Sequence, residues 1–286
     1  MTSTAPGVPD PAELRQVASS FGVDADRYDR ARPRYPDALI AAVAAAAGRV
    51  AAAGRVAAAG RVAAAGRAPR VLDVGVGTGI VARQLRAAGC DVLGVDVDDR
   101  MAEVARRDGT EVEVARFEEW DPAGRSFDAV TAGQTWHWVD PDAGAARAAD
   151  VLRPGGELSV FWNAGDPPPD LAAAFAAVYA RVLPGSPMAT AGTRTSIDGY
   201  APMVARAADG VRAGGRFAEP REHRFDWERT YTRDEWLDWV PTTGLATRLP
   251  AEQLRAVLDG LGAAIDDAGG SFVQRGFTLA LTAARA

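Results

Sequence analysis

The 286-residue chain contains no lysine, a single cysteine and only two histidines. Without lysine, it cannot form a Schiff base with a carbonyl substrate or anchor pyridoxal phosphate. Cys90 alone cannot form an intramolecular disulfide or a cysteine-based zinc cluster, and His137 and His223 add too few ligands for a buried transition metal. We therefore expect neither a disulfide framework nor a metal site.

Long apolar runs and clustered positive charges are also missing. No segment approaches the ~20 apolar residues that cross a bilayer, and the first residues lack the pattern of a secretory signal. The 32 positive charges, all arginine, face 38 acidic residues, so the net charge is −6, without a basic block. Nucleic acids and anionic membranes need clustered positive charge. We expect a cytoplasmic monomer or homodimer that has neither nucleic acid nor a membrane as its partner.

A six-residue repeat precedes the first predicted strand. AAAGRV occupies 45–50, 51–56 and 57–62, and AAAGRA follows at 63–68. Six residues advance a helix by about 600°, so the valines do not form one apolar stripe. The period is far shorter than the ~20 to 50 residues of a solenoid unit. Because alanine favours a helix and each glycine opposes it by ~1 kcal/mol, we expect a frayed helix or mobile loop over 45–68 that tolerates loss of whole units.

Strand and helix patterns alternate after the repeat. Apolar, β-branched runs predict strands at 69–77, 90–97, 110–117, 126–134, 157–164, 221–231 and 271–284. Helical spacing of apolar residues appears at 78–89, 98–109, 141–156, 232–240 and 250–268. Short connections and nearly all-apolar strands favour a doubly wound α/β fold. We expect a mostly parallel, seven-stranded sheet with helices on both faces, an antiparallel last strand and a helical cap.

The segment VLDVGVGTG at 71–79 carries the most chemical information. Gly75 and Gly77 follow a strand and permit a tight turn close to a ligand, while Gly79 opens a helix whose N-terminal amides suit an anionic group. Asp96 ends the second strand about twenty residues later, where a carboxylate can accept hydrogen bonds from both hydroxyls of a ribose. These features predict a cofactor site at the carboxyl edge of the sheet.

The D-x-G-x-G-x-G form, with Asp73 as its acidic residue, resembles motif I of class I S-adenosylmethionine-dependent methyltransferases. ARFEEWDPAGRSFDAVTAGQTWHWVDP and AARAADVLRPGGELSVFWN resemble later motifs of the methyltransferase type 11 branch, and trans-aconitate methyltransferase-like proteins in particular. FGVDADRYDRARPRYP resembles the cap helix that precedes the sheet in that branch. The resemblance is close over 20–37 and 70–164 and loose over the C-terminal third, and the six-residue repeat departs from it.

The resemblance implies S-adenosyl-L-methionine as cofactor and methyl transfer to a small organic acceptor in metabolism or natural-product biosynthesis, with the accepting atom (O, N or C) unresolved. The implied cofactor residues, from the methionine end through the ribose and adenine to the sulfonium, are Asp73, Gly75, Gly77, Gly79, Asp96, Val97, Phe117, Glu118, Gly133 and Gln134. The alternative for Val97 is a core position beside the adenine, and the alternative for Asp96 is a turn at the end of the strand.

The Trp-His-Trp run at 136–138 follows the fourth predicted strand, and therefore belongs to the same edge of the sheet. With an unperturbed pKa of ~6.5, His137 is a candidate catalytic base or a polar anchor for the acceptor. Trp136 and Trp138 would then form walls of the acceptor site. The alternative is a buried aromatic cluster that contains a hydrogen-bonded histidine.

The N-terminal segment offers Tyr28 and Arg32. We expect Tyr28 to be a lid residue over the cofactor at the catalytic site. Arg32 can bind a carboxylate of the cofactor or of an acid substrate through two parallel hydrogen bonds. The alternative is a solvated surface on which Pro33 and Pro36 fix the turn.

Two other functions remain open from the sequence. One is an S-adenosylmethionine-binding protein that is non-catalytic or performs chemistry other than methyl transfer. The other is a nicotinamide oxidoreductase, whose G-x-G-x-x-G fingerprint places the third glycine one residue later than here. Its Tyr-x-x-x-Lys pair cannot exist in a chain without lysine.

These patterns divide the chain into five segments. They are N-terminal cap helices at 1–44, the repeat at 45–68, a cofactor-binding core at 69–164, an inserted cap over the active site at 165–220, and C-terminal strands and helices at 221–286. We expect the acceptor specificity to reside in the segment 165–220.

Overall fold

A seven-stranded sheet with the order β3-β2-β1-β4-β5-β7-β6 forms the centre of the computed structural model, which describes residues 20–58, 67–189 and 196–286. In chain order the strands are β1 Arg70–Val74, β2 Asp91–Asp96, β3 Glu111–Val114, β4 Phe127–Gly133, β5 Leu152–Asp166, β6 Arg221–Thr232 and β7 Ser271–Ala284. Expectations for 1–19, 59–66 and 190–195 lie outside the described residues.

The helices lie between and around these strands. They are α1 Ala25–Ala31, α2 Asp37–Ala58, α3 Ile80–Ala87, α4 Asp99–Arg107, α5 Pro141–Val151, α6 Pro169–Val182, α7 Ser196–Ala213, α8 Arg233–Trp239 and α9 Ala251–Asp267. In the part of the chain that the structure describes, none of these helices is both long and apolar enough to cross a membrane.

The strands β1 to β5 pair in parallel, whereas β7 runs antiparallel to both β5 and β6. This arrangement confirms the predicted mostly parallel, seven-stranded sheet. Parallel pairing brings the carboxyl ends of β1, β2, β4 and β5 to one edge, where ligands bind in open α/β sheets.

Neighbouring residues of the central strands are buried against opposite layers of helices. Val71 packs with α2, α3 and α4, while Leu72 packs with α5 and α7 on the other face. Both side chains are fully buried, because a parallel strand covered on two faces exposes neither set of side chains to solvent. The two faces explain why the central strands read as continuous apolar runs.

A third apolar cluster lies beside the antiparallel strands. Here α6, α8 and α9 pack around Tyr231 and Phe272, with Trp236 at the centre of several ring contacts. The segment 165–220 therefore does not act as a single cap. Its first helix, α6, joins this cluster through Phe175, while α7 covers a sheet face, and among its described residues only α7 reaches the cleft described below.

Two predicted boundaries shift for clear physical reasons. The segment Leu152–Gly156 was expected to end a helix, but it opens β5, because Pro154 cannot continue the hydrogen-bonding of α5. The predicted strand 110–117 shortens to Glu111–Val114, since it pairs with β2 on one side only and is the edge of the sheet. Neither shift changes the order of the elements.

Candidate functional site

A cleft of about 900 Å³ lies at the carboxyl edge of the sheet. Its volume is at the upper end of the ~300 to 1,000 Å³ that is usual for ligand pockets, so it is large enough for two small ligands side by side. The segments that line it are the glycine loop after β1, the end of β2, residues 115–118, residues 133–140, Asn163, α1 with residues 32–35, α7, and residues 239–244.

The glycine loop forms the floor of the cleft. Gly75 has φ +61°, and a Cβ atom there would lie 2.1 Å from the side chain of Thr135. Gly77 has φ +55° and also lines the cleft. Gly79, at φ +87°, does not line the cleft, and its Cβ would lie 3.1 Å from Ala105 of α4. Gly79 therefore shapes the start of α3.

Asp96 connects the glycine loop to the end of β2. Its Oδ2 accepts a hydrogen bond from the Gly77 amide at 2.7 Å, and its Oδ1 accepts one from the Asp98 amide at 2.8 Å. Burial raises the pKa of Asp96 from its usual range. Each carboxylate oxygen has a second lone pair that remains available to a ligand hydroxyl.

Val97 is not a core residue. The side chain lines the cleft and is 53% exposed, because β2 has ended and no helix covers this position. An exposed valine beside a buried carboxylate gives an apolar surface suited to a flat ring. Phe117, which is buried, also lines this part of the cleft.

Glu118 follows Phe117 at the same end. Its Oε1 accepts a hydrogen bond from the Asp140 amide at 3.0 Å, and its backbone carbonyl accepts one from Arg147. These bonds tie the segment after β3 to the start of α5. Both expected adenine residues thus lie in the same cleft as the glycine loop.

Asp73 is buried beneath the floor and does not line the cleft, so its expected role toward the methionine end stays a prediction. Its Oδ1 accepts a hydrogen bond from Thr131 Oγ1 at 2.9 Å, and its Oδ2 is buried without a partner. Burial raises the pKa of Asp73 to about 7. Thr78 Oγ1, in the loop above, is likewise buried without a partner.

These features test whether the site fits S-adenosylmethionine. The close approach at Gly75, the unpartnered Oγ1 of Thr78, and the exposed apolar surface of Val97 are what a cradle for a polar tail, a ribose and a flat base requires. The residues present therefore fit that cofactor.

Gly133 ends β4, Gln134 follows it, and both line the cleft. Gln134 has φ +55°, a left-handed conformation that costs energy in a residue other than glycine. Its amide donates to the Phe161 carbonyl at 2.8 Å, and its side-chain Nε2 donates to the Asn163 carbonyl at 2.9 Å. These two bonds hold the strained turn against β5.

The 3₁₀ turn Trp136–Trp138 separates three residues that the sequence analysis placed together. Trp136 is only 2% exposed and packs against Phe117, so it is a core residue and not a wall of the cleft. His137 and Trp138 line the cleft, with ring centroids 4.3 Å apart. The correction follows from the tight turn, which directs successive side chains to different sides.

The surroundings of His137 contradict a role as catalytic base. The Trp162 indole donates to His137 Nδ1 at 3.2 Å, and an indole N–H is only a donor. Nδ1 therefore accepts, and the proton of the neutral ring lies on Nε2. Burial lowers the pKa of His137 to about 4, so the ring is neutral near pH 7. His137 can donate to a ligand in the cleft, which leaves the expected role of polar anchor.

Tyr28 and Arg32 form part of the wall of the cleft on its N-terminal side. The Arg32 guanidinium lies 4.7 Å from the ring centroid of Tyr28 and 5.6 Å from that of Trp239. It donates to the Thr242 carbonyl, while its Nε is buried without a partner. Arg32 thus uses one donor within the protein, while its Nε–H remains available to a ligand.

Sequence reasoning missed several residues of the cleft. These are Asn163, Tyr200 and Arg206. Asn163 could have been found, because it is a polar residue at the end of an otherwise apolar strand. The others come from helices or turns whose orientation depends on tertiary packing, which no local pattern reports.

Comparisons with known proteins find similarity to methyltransferases. Residues 72–160 match the family model described as a methyltransferase domain. An uncharacterized methyltransferase of Mycobacterium tuberculosis is 29% identical over 251 residues, which cover 86% of this chain and 85% of that protein. A malonyl-[acyl-carrier protein] O-methyltransferase of Enterobacter lignolyticus is 30% identical over 174 residues, covering 59% of this chain and 61% of that protein. These matches oppose the nicotinamide alternative.

A solved structure supports the fold. A type II methyltransferase of Anaeromyxobacter dehalogenans superimposes with a TM-score of 0.55 and 24% sequence identity. The superposition covers 89% of this chain and 97% of that one. The similarity therefore extends beyond the matched domain to nearly the whole described architecture.

Proposed function

We propose that the chain is a class I S-adenosylmethionine-dependent methyltransferase and that it methylates a small organic molecule bound beside the cofactor in the cleft. The proposal rests on one observation, which is that a single cleft contains both the cofactor residues and the candidate acceptor residues. Gly77 and Asp96 line the same space as Tyr28, His137 and Trp138. One continuous cleft can therefore hold both partners of a group transfer.

The cofactor, when bound, supplies a methyl group on a positively charged sulfur. The chain's residues bind and orient its parts. In our proposal Gly75 and Gly77 hold the methionine end, Asp96 accepts hydrogen bonds from the ribose hydroxyls, and Val97 and Phe117 flank the adenine. Thr78 Oγ1, which has no partner inside the protein, is an additional donor for the methionine end.

Gly133 and Gln134 lie at the proposed junction between the cofactor and acceptor. The left-handed Gln134 and its two hydrogen bonds to β5 support a rigid position there. Tyr28 and Trp138 exclude water by covering the reacting atoms, and His137 donates to the acceptor. When the rate depends on alignment of the two reactants and on exclusion of water, the protein need not form a covalent intermediate.

An oxygen atom is the acceptor that we favour. The Enterobacter relative is named as an O-methyltransferase, which supports oxygen. The polar groups on the acceptor side of the cleft are donors, as His137 illustrates, and donors suit an oxygen atom better than a cationic amine.

A label-transfer experiment tests the proposed function. The protein is incubated with S-adenosylmethionine that carries a tritiated methyl group and, in separate arms, with a bacterial small-molecule extract, with transfer RNA and with a protein fraction. We expect enzyme-dependent label in the small-molecule arm. Label confined to RNA or protein would contradict the proposal, as would saturable cofactor binding with no label in any arm.

A further inference from the structure

The indole of Trp162 gives its only proton to a residue of the cleft. Trp162 belongs to β5, is 1% exposed and lies in the apolar cluster that contains Leu72. Its Nε1 donates to His137 Nδ1 at 3.2 Å. His137 lines the cleft, whereas Trp162 does not. The bond therefore connects the core of the protein to the wall of the cleft.

Other tryptophans show that this fold can bury an indole without bonding its N–H. Within the described ranges, the Nε1 atoms of Trp136, Trp227 and Trp236 are buried and have no hydrogen-bond partner. Burial of the Trp162 ring therefore does not by itself require the bond to His137. The effect of the bond is to be sought in the imidazole that receives it.

The bond selects one of the two neutral forms of His137. A neutral imidazole carries its proton on one nitrogen and accepts a hydrogen bond at the other. Because an indole N–H is only a donor, the contact with Trp162 is attractive only when Nδ1 is bare and Nε2 carries the proton. In the other form two N–H groups would face each other. Trp162 thus favours the Nε2–H tautomer.

No acidic side chain takes part in this choice. In many proteins a carboxylate fixes the tautomer of a histidine by accepting from one ring nitrogen. Among the residues that the structure describes, Trp162 is the hydrogen-bond partner of the His137 ring, and burial alone accounts for its lowered pKa of about 4. The ring is therefore neutral near pH 7, and an indole takes the place that a carboxylate often has.

The bond also restricts the orientation of the imidazole. His137 lies in the 3₁₀ turn Trp136–Trp138, where its ring centroid is 4.3 Å from that of Trp138. Trp138 in turn contacts Phe21 of the N-terminal segment edge-on, with centroids 6.4 Å apart. A hydrogen bond from β5 and a ring contact within the turn therefore hold the imidazole together. A donor held in this way loses little freedom when a ligand binds to it.

We propose that Trp162 is a positioning residue for methyl transfer, which holds His137 as the Nε2–H tautomer so that an oxygen of the acceptor meets a hydrogen-bond donor. This inference rests on the proposed function and concerns the same site. Without the indole N–H, the proton could move to Nδ1, and Nε2 would then present a lone pair to that oxygen. Trp162 acts only through His137, because it does not itself line the cleft.

Nitrogen NMR tests the tautomer directly, because the chain has only two histidines. The full chain is labelled with a heavy nitrogen isotope in its histidine rings, and His223→Gln, at an exposed position on β6, assigns the remaining signals to His137. Near neutral pH we expect a proton on Nε2 alone in the wild type and a mixture of both tautomers in Trp162→Phe. A proton on Nδ1 in the wild type, or an unchanged tautomer in Trp162→Phe, would overturn the proposal.

A double-mutant cycle connects the tautomer to the reaction. We expect Trp162→Phe to lower the initial rate of label transfer to the small-molecule extract about two- to tenfold, the usual effect of one hydrogen bond, with S-adenosylhomocysteine affinity unchanged. His137→Ala should lower the rate at least as much. In the His137→Ala background Trp162→Phe should have no further effect. Equal effects of Trp162→Phe in both backgrounds would mean that the indole acts through packing, and would overturn the proposal.

Trp236→Phe is the matched control for the loss of ring volume. Trp236 is a buried tryptophan of the third apolar cluster, its indole N–H has no partner among the described residues, and it does not line the cleft. We expect this variant to change neither the tautomer of His137 nor the rate of label transfer. A change in the tautomer as large as that in Trp162→Phe would overturn the assignment to Trp162.

His137→Gln tests the donor without a change in the core. A glutamine keeps a side-chain N–H close to the position of Nε2, so we expect this variant to retain more of the rate than His137→Ala. Equal rates in the two variants would overturn the role of the Nε2 proton. Absence of label in every arm would contradict the proposed function, whereas the NMR spectra would still decide whether Trp162 sets the tautomer of His137.

Discussion

Asp73 and His137 illustrate how burial sets protonation states around the cleft. Burial disfavours the charged form of each, so the pKa of the acid rises to about 7 and that of the base falls to about 4. Asp73 keeps one unpartnered oxygen beneath the glycine loop, while His137 keeps one free donor. Each side chain thus retains a polar atom that internal hydrogen bonds do not satisfy.

Replacement of Asp73 by asparagine tests this account through stability. Ionisation of the buried carboxyl makes the wild type lose stability as the pH rises from about 4 to about 7, whereas an asparagine does not ionise. A shift of about 3 pKa units corresponds to roughly 4 kcal/mol as an upper bound. We expect Asp73→Asn to exceed the wild type in unfolding free energy at pH 8.5 and to match it near pH 4.5.

Urea denaturation at the two pH values provides the measurement. Asp259→Asn, at an exposed position on α9, serves as the control and should match the wild type in unfolding free energy at both pH values. A less stable Asp73→Asn protein at pH 8.5 would mean that the ionised carboxylate has a compensating partner.

The residues at the site were predictable where a backbone requirement defines them. Gly75, Gly77 and Asp96 could be assigned because a tight turn and a strand end impose residue type and spacing. The roles of Trp136 and His137 could not, because a 3₁₀ turn sends neighbouring side chains in different directions and the partner of His137, Trp162, comes from a distant strand.

At the scale of elements, the repeat is anchored on both sides. Its first two units continue α2, where Ala46, Ala47 and Ala51 are buried against the sheet. At the other end Arg67 binds the fully buried Asp128, with nitrogen to oxygen distances of 3.0 and 3.1 Å. The helical part of the repeat is thus packed against the rest of the protein. We therefore expect only the later units to tolerate deletion.

Deletion of residues 57–62 removes one unit between these anchors. Because all units are nearly identical, α2 retains its buried alanines and Arg67 retains its place before β1. Altering the length of a connection costs only ~0.6 kcal/mol per doubling, so we expect the melting temperature to change by no more than about 3 °C and cofactor affinity to be preserved.

Removal of residues 51–62 is the contrasting variant, since the single unit left after Val50 would have to continue α2 and also place Arg67 at Asp128. We expect a clearly lower melting temperature for that protein, measured by circular dichroism with and without S-adenosylhomocysteine. Unfolding caused by the single-unit deletion would show that the segment between the two anchors packs against the core.

The order of the elements was predictable because hydrophobic periodicity is local. The surface against which each helix packs was not predictable. The spacing of apolar residues identified α3, α4 and α9. Nothing in the segment 165–220 indicated that α6 would pack with α9 while α7 covers the sheet, because that choice depends on complementary surfaces far apart in the chain.

At the scale of the whole molecule, the fold brings residues from nearly every part of the chain to one edge. Tyr28 lies before the sheet, Asp96 and Gln134 within its parallel half, and Trp239 close to the C-terminal end. Alternation of strands and helices was enough to predict the doubly wound sheet, and therefore the edge at which ligands bind. The side chains that form the walls of the cleft could be identified only from the three-dimensional structure.

The central claim is that this cleft holds S-adenosylmethionine, and titration calorimetry with S-adenosylhomocysteine tests it most directly. The account predicts saturable one-site binding in the micromolar range. It also predicts a loss of about tenfold to a hundredfold in Asp96→Ala, because hydrogen bonds to a charged acceptor contribute ~1.5 to 3 kcal/mol. Saturable heat with nicotinamide dinucleotide and none with S-adenosylhomocysteine would contradict it.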